Sequence, residues 1–328
     1  MQTLLLDPDD VETSTQLPEV IDAVEDAFAA YARGDVQMPP KSYIDLPQYN
    51  GDFRSMPAYI ATDEWEAAGI KWVNVHTDNP DHHDLPTVMA TMIYSDPETA
   101  FPLALLDGTG LTRLRTGAAS AVATRHLARE DATSLGLVGA GVQAYTQLDA
   151  IATVRDISTV VVTDVDEEAI AAFKQRYEDD YEVREGSIAE ATACDVVSTT
   201  TPVREPIVES VGEETHVNAI GADAEGKQEL ADDILTSAKL VIDDYEQCTH
   251  SGEINVPWSA GLLDDEDIHA ELGDVVTGST SGRTDDDGVT VFDSTGLAIQ
   301  DVAAAHVVYE YATEHDVGTE FPLVGTGT

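Results

Sequence analysis

The sequence predicts an α/β protein, in which a doubly wound parallel sheet occupies the central half of the chain and an α+β domain accompanies it. With 328 residues the chain is too long for one ordinary core, and its 42% hydrophobic content can fill two. From residue 134 onward short apolar runs alternate with helical segments, which is typical of βαβ units. We therefore assign residues 1–125 with 294–328 to one domain and residues 126–293 to the other.

The first domain is expected to combine strands with three helices. A short apolar strand begins the chain, and helical spacing of apolar residues predicts a helix over residues 18–33. An Ala-rich helix over residues 113–129 would lead into the second domain, and a helix over residues 297–313 would return to the first. Between them, turn signals separate four predicted strands at residues 42–44, 68–73, 87–90 and 103–106.

The second domain is expected to hold a parallel sheet with right-handed crossovers. Each predicted strand is a short run of buried-type residues, and helical segments lie between most of them. The acidic stretch 283–288 predicts a surface loop. The predicted strands are residues 135–138, 160–163, 195–198, 217–220 and 240–242.

The charge of the chain is extreme and is spread along its length. Sixty-three acidic residues against 16 lysines and arginines give a net charge of −47. Such a surface repels itself in dilute buffer, whereas at molar salt the Debye length falls to about 3 Å. We therefore expect a protein from a halophile that accumulates salt. A basic face is missing, which argues against a nucleic-acid partner.

Other features favour a cytoplasmic enzyme. No apolar run approaches the roughly 18–20 residues of a membrane span, and the N-terminus lacks the basic start of a signal peptide. Cys194 and Cys248 lie far apart without a CxxC pattern. This spacing favours a reducing compartment over a disulfide framework, and we predict no metal site.

A glycine-rich turn follows the first predicted strand of the parallel sheet. The run is Gly139-Ala140-Gly141-Val142-Gln143-Ala144, and a helix follows it. In this context the pattern G-x-G-x-x-A is typical of a Rossmann dinucleotide site, with the pyrophosphate at the helix N-terminus. Asp164 ends the second strand, where an acid that binds the adenosine ribose is expected. Because a carboxylate repels a 2′-phosphate, we predict NAD rather than NADP.

Two further loops are expected at the same edge of the sheet, since ligands of such sheets lie beyond the carboxyl ends of the strands. Ser198, Thr199 and Thr200 follow one strand, and Gly221 follows the next. Asp223 comes two residues later and is a candidate proton acceptor. In a chain this acidic, a helix cap or a solvated surface acid is an equally good interpretation of Asp223.

The chain resembles the ornithine cyclodeaminase/μ-crystallin family, which includes archaeal alanine dehydrogenase. The resemblance runs in family order over nearly the whole chain and implies a homodimer built through the first domain. The matching stretches are GDFRSMPA at 51–58, GIKWVNVH at 69–76, LTRLRTGA at 111–118, GAGVQA at 139–144, GADAEGKQEL at 221–230 and FDSTG at 292–296.

The resemblance also implies roles for individual residues. Arg115 would clamp a substrate carboxylate, which suits the two parallel hydrogen bonds that a guanidinium offers. Lys71 would lie beside the reacting carbon, and a lysine in an apolar strand is costly to bury without a partner. Asp223 would handle protons, while Thr116 and Ser294 would face the nicotinamide.

Family membership leaves several reactions of amino or imino acids open. An alanine dehydrogenase releases pyruvate, ammonia and NADH, a cyclodeaminase converts ornithine to proline, and an imine reductase reduces a cyclic imine. Arg54 lies just before the Met-Pro step, where a cation would repel the δ-ammonium of ornithine, and Lys41 adds a second cation nearby. These residues favour the dehydrogenase and a role for both cations in substrate binding. A cofactor-binding protein without turnover stays open as another class.

Overall fold

The computed structural model of the protein describes residues 1–325 and divides into two compact units. Unit 1 comprises Met1–Arg115 together with the described chain from Leu297 onward, and unit 2 comprises Thr116–Gly296. The sequence predicted the first boundary ten residues later, at 125. The difference arises because the division falls inside one continuous helix, Gly108–Leu127, where no turn marks it.

The elements are numbered in chain order. The strands are β1 (Thr3–Leu6), β2 (Val36–Gln37), β3 (Ser42–Leu46), β4 (Gly51–Ala61), β5 (Glu66–His76), β6 (Val88–Ser95), β7 (Pro102–Asp107), β8 (Ser134–Val138), β9 (Thr159–Thr163), β10 (Glu182–Glu185), β11 (Val196–Thr199), β12 (His216–Ala219), β13 (Lys239–Ile242), β14 (Ile268–Glu271), β15 (Thr290–Asp293) and β16 (Thr319–Phe321). The helices are α1 (Pro8–Thr13), α2 (Leu17–Arg33), α3 (Asn79–His83), α4 (Gly108–Leu127), α5 (Val142–Val154), α6 (Glu167–Tyr177), α7 (Ile188–Ala191), α8 (Asp232–Leu235), α9 (Tyr245–Ser251), α10 (Asn255–Ser259), α11 (Leu272–Val276) and α12 (Ala298–Glu314).

Unit 1 is built on a mostly antiparallel sheet with the order β16-β1-β7-β6-β5-β4-β2, to which β3 adds by pairing with β4. Only the β1–β7 pair among these is parallel. Helix α12 packs against α2 and against β4, β5 and β6. The apolar side chains of Val20, Val24 and Phe28 on α2 are fully buried, so the core of unit 1 lies between these helices and the sheet.

Unit 2 is built on a fully parallel sheet with the order β10-β9-β8-β11-β12-β15-β13-β14. The order runs outward in both directions from β8, which is the doubly wound arrangement of a Rossmann fold and confirms the predicted fold class. Successive residues of a strand enter different cores: Val160 and Val162 lie in one cluster, and Val161 lies in the other. Both faces of the sheet are therefore covered, as parallel sheets require.

Among residues 1–325, no helix combines the length and the apolar character needed to cross a membrane. Within the same residues, no group of three or more His, Cys, Asp or Glu side chains is arranged to hold a metal ion.

Candidate active site

The glycine turn of unit 2 has the geometry that its sequence predicted. Strand β8 ends at Val138 and α5 begins at Val142, so the turn is only three residues long. Gly139 has φ +107°, in the region that disfavours side chains, and its N–H donates to the Thr163 carbonyl at 2.9 Å. Gly139 is thus required by the backbone of the turn itself.

Gly141 has no comparable constraint from the protein. Its φ is −71°, and a Cβ added there would meet no atom within 4 Å. Any residue would fit this backbone, so a glycine is needed only where another molecule approaches closely. Gly141 caps the N-terminus of α5, where free N–H groups favour a phosphate. Val142 is 58% exposed beside it. The turn therefore fits the pyrophosphate of a dinucleotide.

Asp164 lies at the end of β9 and holds the glycine turn. One carboxylate oxygen accepts the N–H of Ala140 at 2.6 Å, and the other accepts the N–H of Asp166 at 2.9 Å. An ionised carboxylate can accept about four hydrogen bonds, so each oxygen keeps capacity for a ribose hydroxyl. The position fits the predicted ribose acid, and the bond to Ala140 is a second role that the sequence did not reveal.

The structure places Ser198 and Thr199 in the interior rather than in a solvent-facing loop, because both lie within β11 and are fully buried. The Ser198 hydroxyl donates to Gln147 Oε1 at 2.8 Å. Gln147 Nε2 in turn donates to the Thr116 carbonyl at 3.5 Å. Ser198 therefore helps to hold α5 against β11, and its cofactor contact stays a prediction. Thr200 is half-buried, and its hydroxyl donates to the Val138 carbonyl at 3.4 Å.

Asp223 lies in the loop after β12 and forms an ion pair. Its carboxylate accepts from Lys227 Nζ at 2.7 Å, and the Asp223 side chain is 40% exposed. Lys227 Nζ also donates to the Gly221 carbonyl at 3.2 Å. The lysine therefore holds the acid against its own loop while leaving part of the carboxylate open to solvent. This exposure suits a group that exchanges protons.

Ser294 is buried at the end of β15, and its hydroxyl donates to Asp243 Oδ2 at 3.0 Å. The same oxygen accepts the N–H of Gly296 at 2.9 Å. These two bonds shape the turn after β15, and the nicotinamide contact of Ser294 stays a prediction. Thr116 is likewise buried.

Lys71 lies in unit 1 on the buried face of β5. It pairs with Met56 on β4 and with Met92 on β6, and both neighbours are buried. Its Nζ donates to Asp301 Oδ1 at 2.8 Å and to Thr112 Oγ1 at 3.2 Å. Burial lowers the pKa of Lys71 to about 7, although the Asp301 carboxylate opposes this shift.

Arg115 shares the same carboxylate oxygen. Its Nε donates to Asp301 Oδ1 at 3.1 Å, and its Nη1 donates to Gln300 Oε1 at 3.0 Å. When Lys71 is protonated, two cations thus meet one buried carboxylate, which leaves a local excess of positive charge. Arg115 is 8% exposed, so it is the member of this group that can be reached from outside. The excess charge would be balanced by a bound carboxylate.

Sequence reasoning missed Asp301 and Gln300. They are adjacent polar residues in the otherwise apolar start of α12, and both are fully buried. Asp301 lies 230 residues from Lys71 in the sequence. A polar pair inside an Ala-rich buried helix was the available signal, because such residues must have partners in the core.

Arg54 lies on the same face of the sheet as Lys71, since it pairs with Val73 two residues along β5. Its guanidinium forms two 3.0 Å hydrogen bonds with Asp52 and lies 5.5 Å from the centre of the Tyr43 ring. The charge that sequence reasoning assigned to Arg54 is therefore largely neutralised by Asp52. Lys41 is half-buried, and its charge contributes to lowering the pKa of Lys71, behind burial and Arg115.

Together these features define a class of protein. Unit 2 is a Rossmann-type dinucleotide fold, and unit 1 carries a buried cationic group suited to a small carboxylate. The model of the ornithine cyclodeaminase/mu-crystallin family matches residues 1–316. The chain belongs to this family, which confirms the resemblance found in its sequence.

Individual relatives cover nearly the whole chain. Alanine dehydrogenase of Archaeoglobus fulgidus is 50% identical over 323 residues, which is 98% of each chain. A solved archaeal alanine dehydrogenase dimer with bound NAD superposes with a TM-score of 0.93 at 49% identity, covering 99% of this chain and 100% of that one. Delta(1)-pyrroline-2-carboxylate reductase of Thermococcus litoralis, solved with NADH and L-proline, has a TM-score of 0.92 at 38% identity, with 97% and 99% covered.

Proposed function

We propose that the protein is an NAD-dependent alanine dehydrogenase, which converts L-alanine, NAD and water to pyruvate, ammonia and NADH. The observation that carries the proposal is the 50% identity to the A. fulgidus alanine dehydrogenase across 98% of both chains. The buried cationic group of unit 1 supports it, because alanine offers an α-carboxylate and has no charged side chain that would need its own partner.

The cofactor is proposed to be NAD, held by unit 2. The turn from Gly139 to Gln143 would bind the pyrophosphate, and Asp164 would accept hydrogen bonds from the adenosine ribose. When bound, NAD accepts a hydride from the substrate Cα. Thr200 and Gly221 follow neighbouring strands at the same edge of the sheet and are proposed to line the cofactor site.

The substrate carboxylate is proposed to bind to Arg115, whose second contact with Gln300 fixes the orientation of the guanidinium. Lys71 has a pKa near neutrality, so it can give or take a proton at working pH. Asp223 is the second proton-handling group, kept in place by Lys227. Arg54 and Lys41 would contribute positive potential around the carboxylate.

Two other reactions of the family remain as candidates. A reductase acting on a cyclic imine is favoured by the 38% identity to the T. litoralis enzyme that was solved with NADH and L-proline. Ornithine cyclodeamination was opposed in the sequence by the charge of Arg54. Since Asp52 pairs with Arg54, that opposition is weaker than predicted, and the assay must include ornithine.

A second copy of the chain is the proposed partner. The face of the unit 1 sheet opposite Lys71 carries Ile44, which is 53% exposed, and Trp72, which is 42% exposed. Phe53 pairs with Ile44 across the strands and stacks on Trp72 with ring centres 5.2 Å apart. Such an apolar face favours a homodimer.

We also propose a cytoplasmic location and a halophilic source, in line with the free Cys194 and Cys248 and the net charge of −47.

The test is an assay in molar KCl that follows NADH and identifies the products. L-Alanine with NAD should give pyruvate, ammonia and net NADH. NADH formation with L-proline but not with L-alanine would instead indicate the imine reductase, and proline with ammonia from L-ornithine without net NADH would indicate a cyclodeaminase.

Light scattering of the same sample, and of Trp72→Glu, reports whether the chain is a dimer. Asp164→Ala should raise turnover with NADP relative to NAD.

A further inference from the structure

A row of buried carboxylates lies at the carboxyl edge of the unit 2 sheet, and the proposed reaction does not use it. Glu229, Glu253, Asp293 and Asp243 are all fully buried. They are connected through the backbone: Asp293 accepts the N–H of Glu253 at 2.9 Å, and Glu253 accepts the N–H of Glu229 at 2.8 Å. Burying a carboxylate raises the free energy of the folded state unless the carboxylate accepts hydrogen bonds. We therefore expect each of these side chains to stabilise local structure through the bonds that it accepts.

Glu229 ends this row and joins two loops. Its Oε1 accepts the N–H of Thr201 at 2.8 Å and the Thr201 hydroxyl at 2.6 Å, while its Oε2 accepts the N–H of Gly221 at 3.0 Å. Thr201 follows β11 and Gly221 follows β12, which are neighbouring parallel strands. One side chain therefore sets the distance between the two loops.

The fit between Glu229 and the second loop is tight. A Cβ added to Gly221 would lie 2.3 Å from Glu229 Oε2 and 2.5 Å from the Thr201 carbonyl oxygen. Gly221 is thus a glycine because Glu229 and Thr201 occupy the space of a side chain. The next residue, Ala222, is fully buried, and Asp223 follows it. Because Asp223 lies only two residues after Gly221, a displacement of the Gly221 backbone would also move Asp223.

We propose that Glu229 is a positioning residue, which fixes the Gly221–Asp223 loop against Thr201 and so holds Asp223 where it exchanges protons. The proposal rests on the proposed function of Asp223 only in its catalytic part, because the fixing of the loop is a property of the protein alone. Three donors are directed at Glu229: the N–H and the hydroxyl of Thr201, and the N–H of Gly221. The carboxylate must therefore accept hydrogen bonds on both of its oxygens.

The test compares Glu229→Gln with Glu253→Gln. A glutamine at position 229 has one acceptor oxygen. Its NH₂ group would therefore face either the Gly221 N–H or the Thr201 donors, and the hydrogen bonds on that side would be lost. Glu253 accepts both of its backbone N–H groups on Oε1, and its Oε2 has no partner among residues 1–325. A glutamine there keeps both bonds, which makes it a matched control of equal size and burial.

Amide hydrogen exchange without cofactor or substrate tests the loop directly. Glu229→Gln should speed exchange in the segments 199–203 and 219–225 by about tenfold, while Glu253→Gln leaves them unchanged. In the alanine assay, Glu229→Gln should lower kcat by about 10- to 100-fold with KM for L-alanine within about twofold, and should increase the solvent deuterium isotope effect on kcat.

The two parts fail in different ways. Unchanged exchange in Glu229→Gln, or equal changes in both variants, would overturn the positioning role whatever the reaction is. Faster exchange with an unaltered kcat and isotope effect would overturn the link to Asp223. Absence of any NADH formation by the unmodified chain would overturn the proposed function and leave the exchange result to decide on the loop.

Discussion

The two units bury charge in opposite ways. In unit 1, Lys71 and Arg115 share one oxygen of Asp301, so cations outnumber the acid that holds them. In unit 2, Glu229 and Asp293 are buried carboxylates whose partners are N–H groups and a hydroxyl. Burial brings the pKa of Lys71 down to about 7 and that of Asp293 up to about 7.

This difference in buried charge indicates the role of the buried group in each unit. A surplus of buried cations is unfavourable until an anion arrives, so the unit 1 group is suited to binding. Glu229 and Asp293 accept hydrogen bonds on both carboxylate oxygens, so these two members of the unit 2 row are suited to shaping loops. Substitutions in unit 1 should therefore change catalysis at nearly constant stability, and those deep in unit 2 should change stability or loop geometry first.

The largest effect is expected for Lys71→Met. The side chains have similar lengths, and Met56 and Met92 beside it are apolar, so the fold should accept the change. Losing a group that exchanges protons should lower kcat for L-alanine by about 10²–10⁴-fold. NADH fluorescence titration should give an unchanged Kd. A variant that keeps more than a tenth of the activity would show that Lys71 is a core residue without a chemical role.

Arg115→Lys should act on substrate binding. The charge is kept, but the two parallel hydrogen bonds to a carboxylate are lost, so KM for L-alanine should rise by about 10- to 100-fold. Arg113→Lys, two residues earlier on α4, is the matched control and should leave KM within about twofold. If both variants raise KM equally, the clamp does not depend on the guanidinium of Arg115.

Asp301→Asn tests the shared oxygen. Asp301 raises the pKa of Lys71 against the larger effect of burial, so its neutralisation should lower that pKa below about 7. Activity that needs the neutral amine rises with pH through this pKa. The rising limb of kcat/KM should therefore move to lower pH, by about one unit. A limb that stays in place, or moves to higher pH, would separate Lys71 from the observed titration.

Much of this architecture could be read from the sequence. The glycine turn, the α2 and α12 helices and the five strands β8, β9, β11, β12 and β13 were predicted because apolar periodicity and turn chemistry are local signals. Strand β4 was missed as an element, since Pro57 interrupts its pattern. In the structure β3 pairs with β4 up to Ser55 and β2 pairs from Tyr59, so Pro57 lies where that edge needs no N–H donor.

The site was predicted less completely, for two physical reasons. Asp301 reaches Lys71 only through the tertiary fold, which no local pattern encodes. Glu229 is one of 63 acidic residues in the chain, and the composition hides the few that are buried. Ser198 was expected to open the loop after its strand because it follows an apolar run, but β11 extends through Thr199 and Ser198 lies in the core.

Raising the salt concentration should change the effects of surface charges but hardly those of buried charges. The net charge of −47 is carried mostly by exposed acids, and its repulsion is screened at high ionic strength. Tm should therefore rise by about 10 °C or more between dilute buffer and molar KCl, whereas sucrose of equal osmolarity should do less. The pH limb assigned to Lys71 should hardly move, because that group is buried. A Tm indifferent to KCl would contradict the halophilic interpretation.

The smallest effect is expected for Asp293→Asn, as a loss of stability whose size depends on pH. Burial raises the pKa of Asp293 from 3.8 to about 7, so between these values the folded state binds a proton that the unfolded state has lost. The stability contributed by this group is present below pH 4 and is lost as pH rises through about 7, with a slope of at most about 1.4 kcal/mol per pH unit. Asn cannot titrate, but it gives up one of the two acceptor oxygens that hold Glu253 and Ile254. The free energy of unfolding in urea should therefore be lower for Asp293→Asn near pH 5, and the difference from the unmodified chain should shrink toward pH 8. A constant difference across that range would mean that Asp293 is ionised throughout and that burial does not raise its pKa in the folded protein.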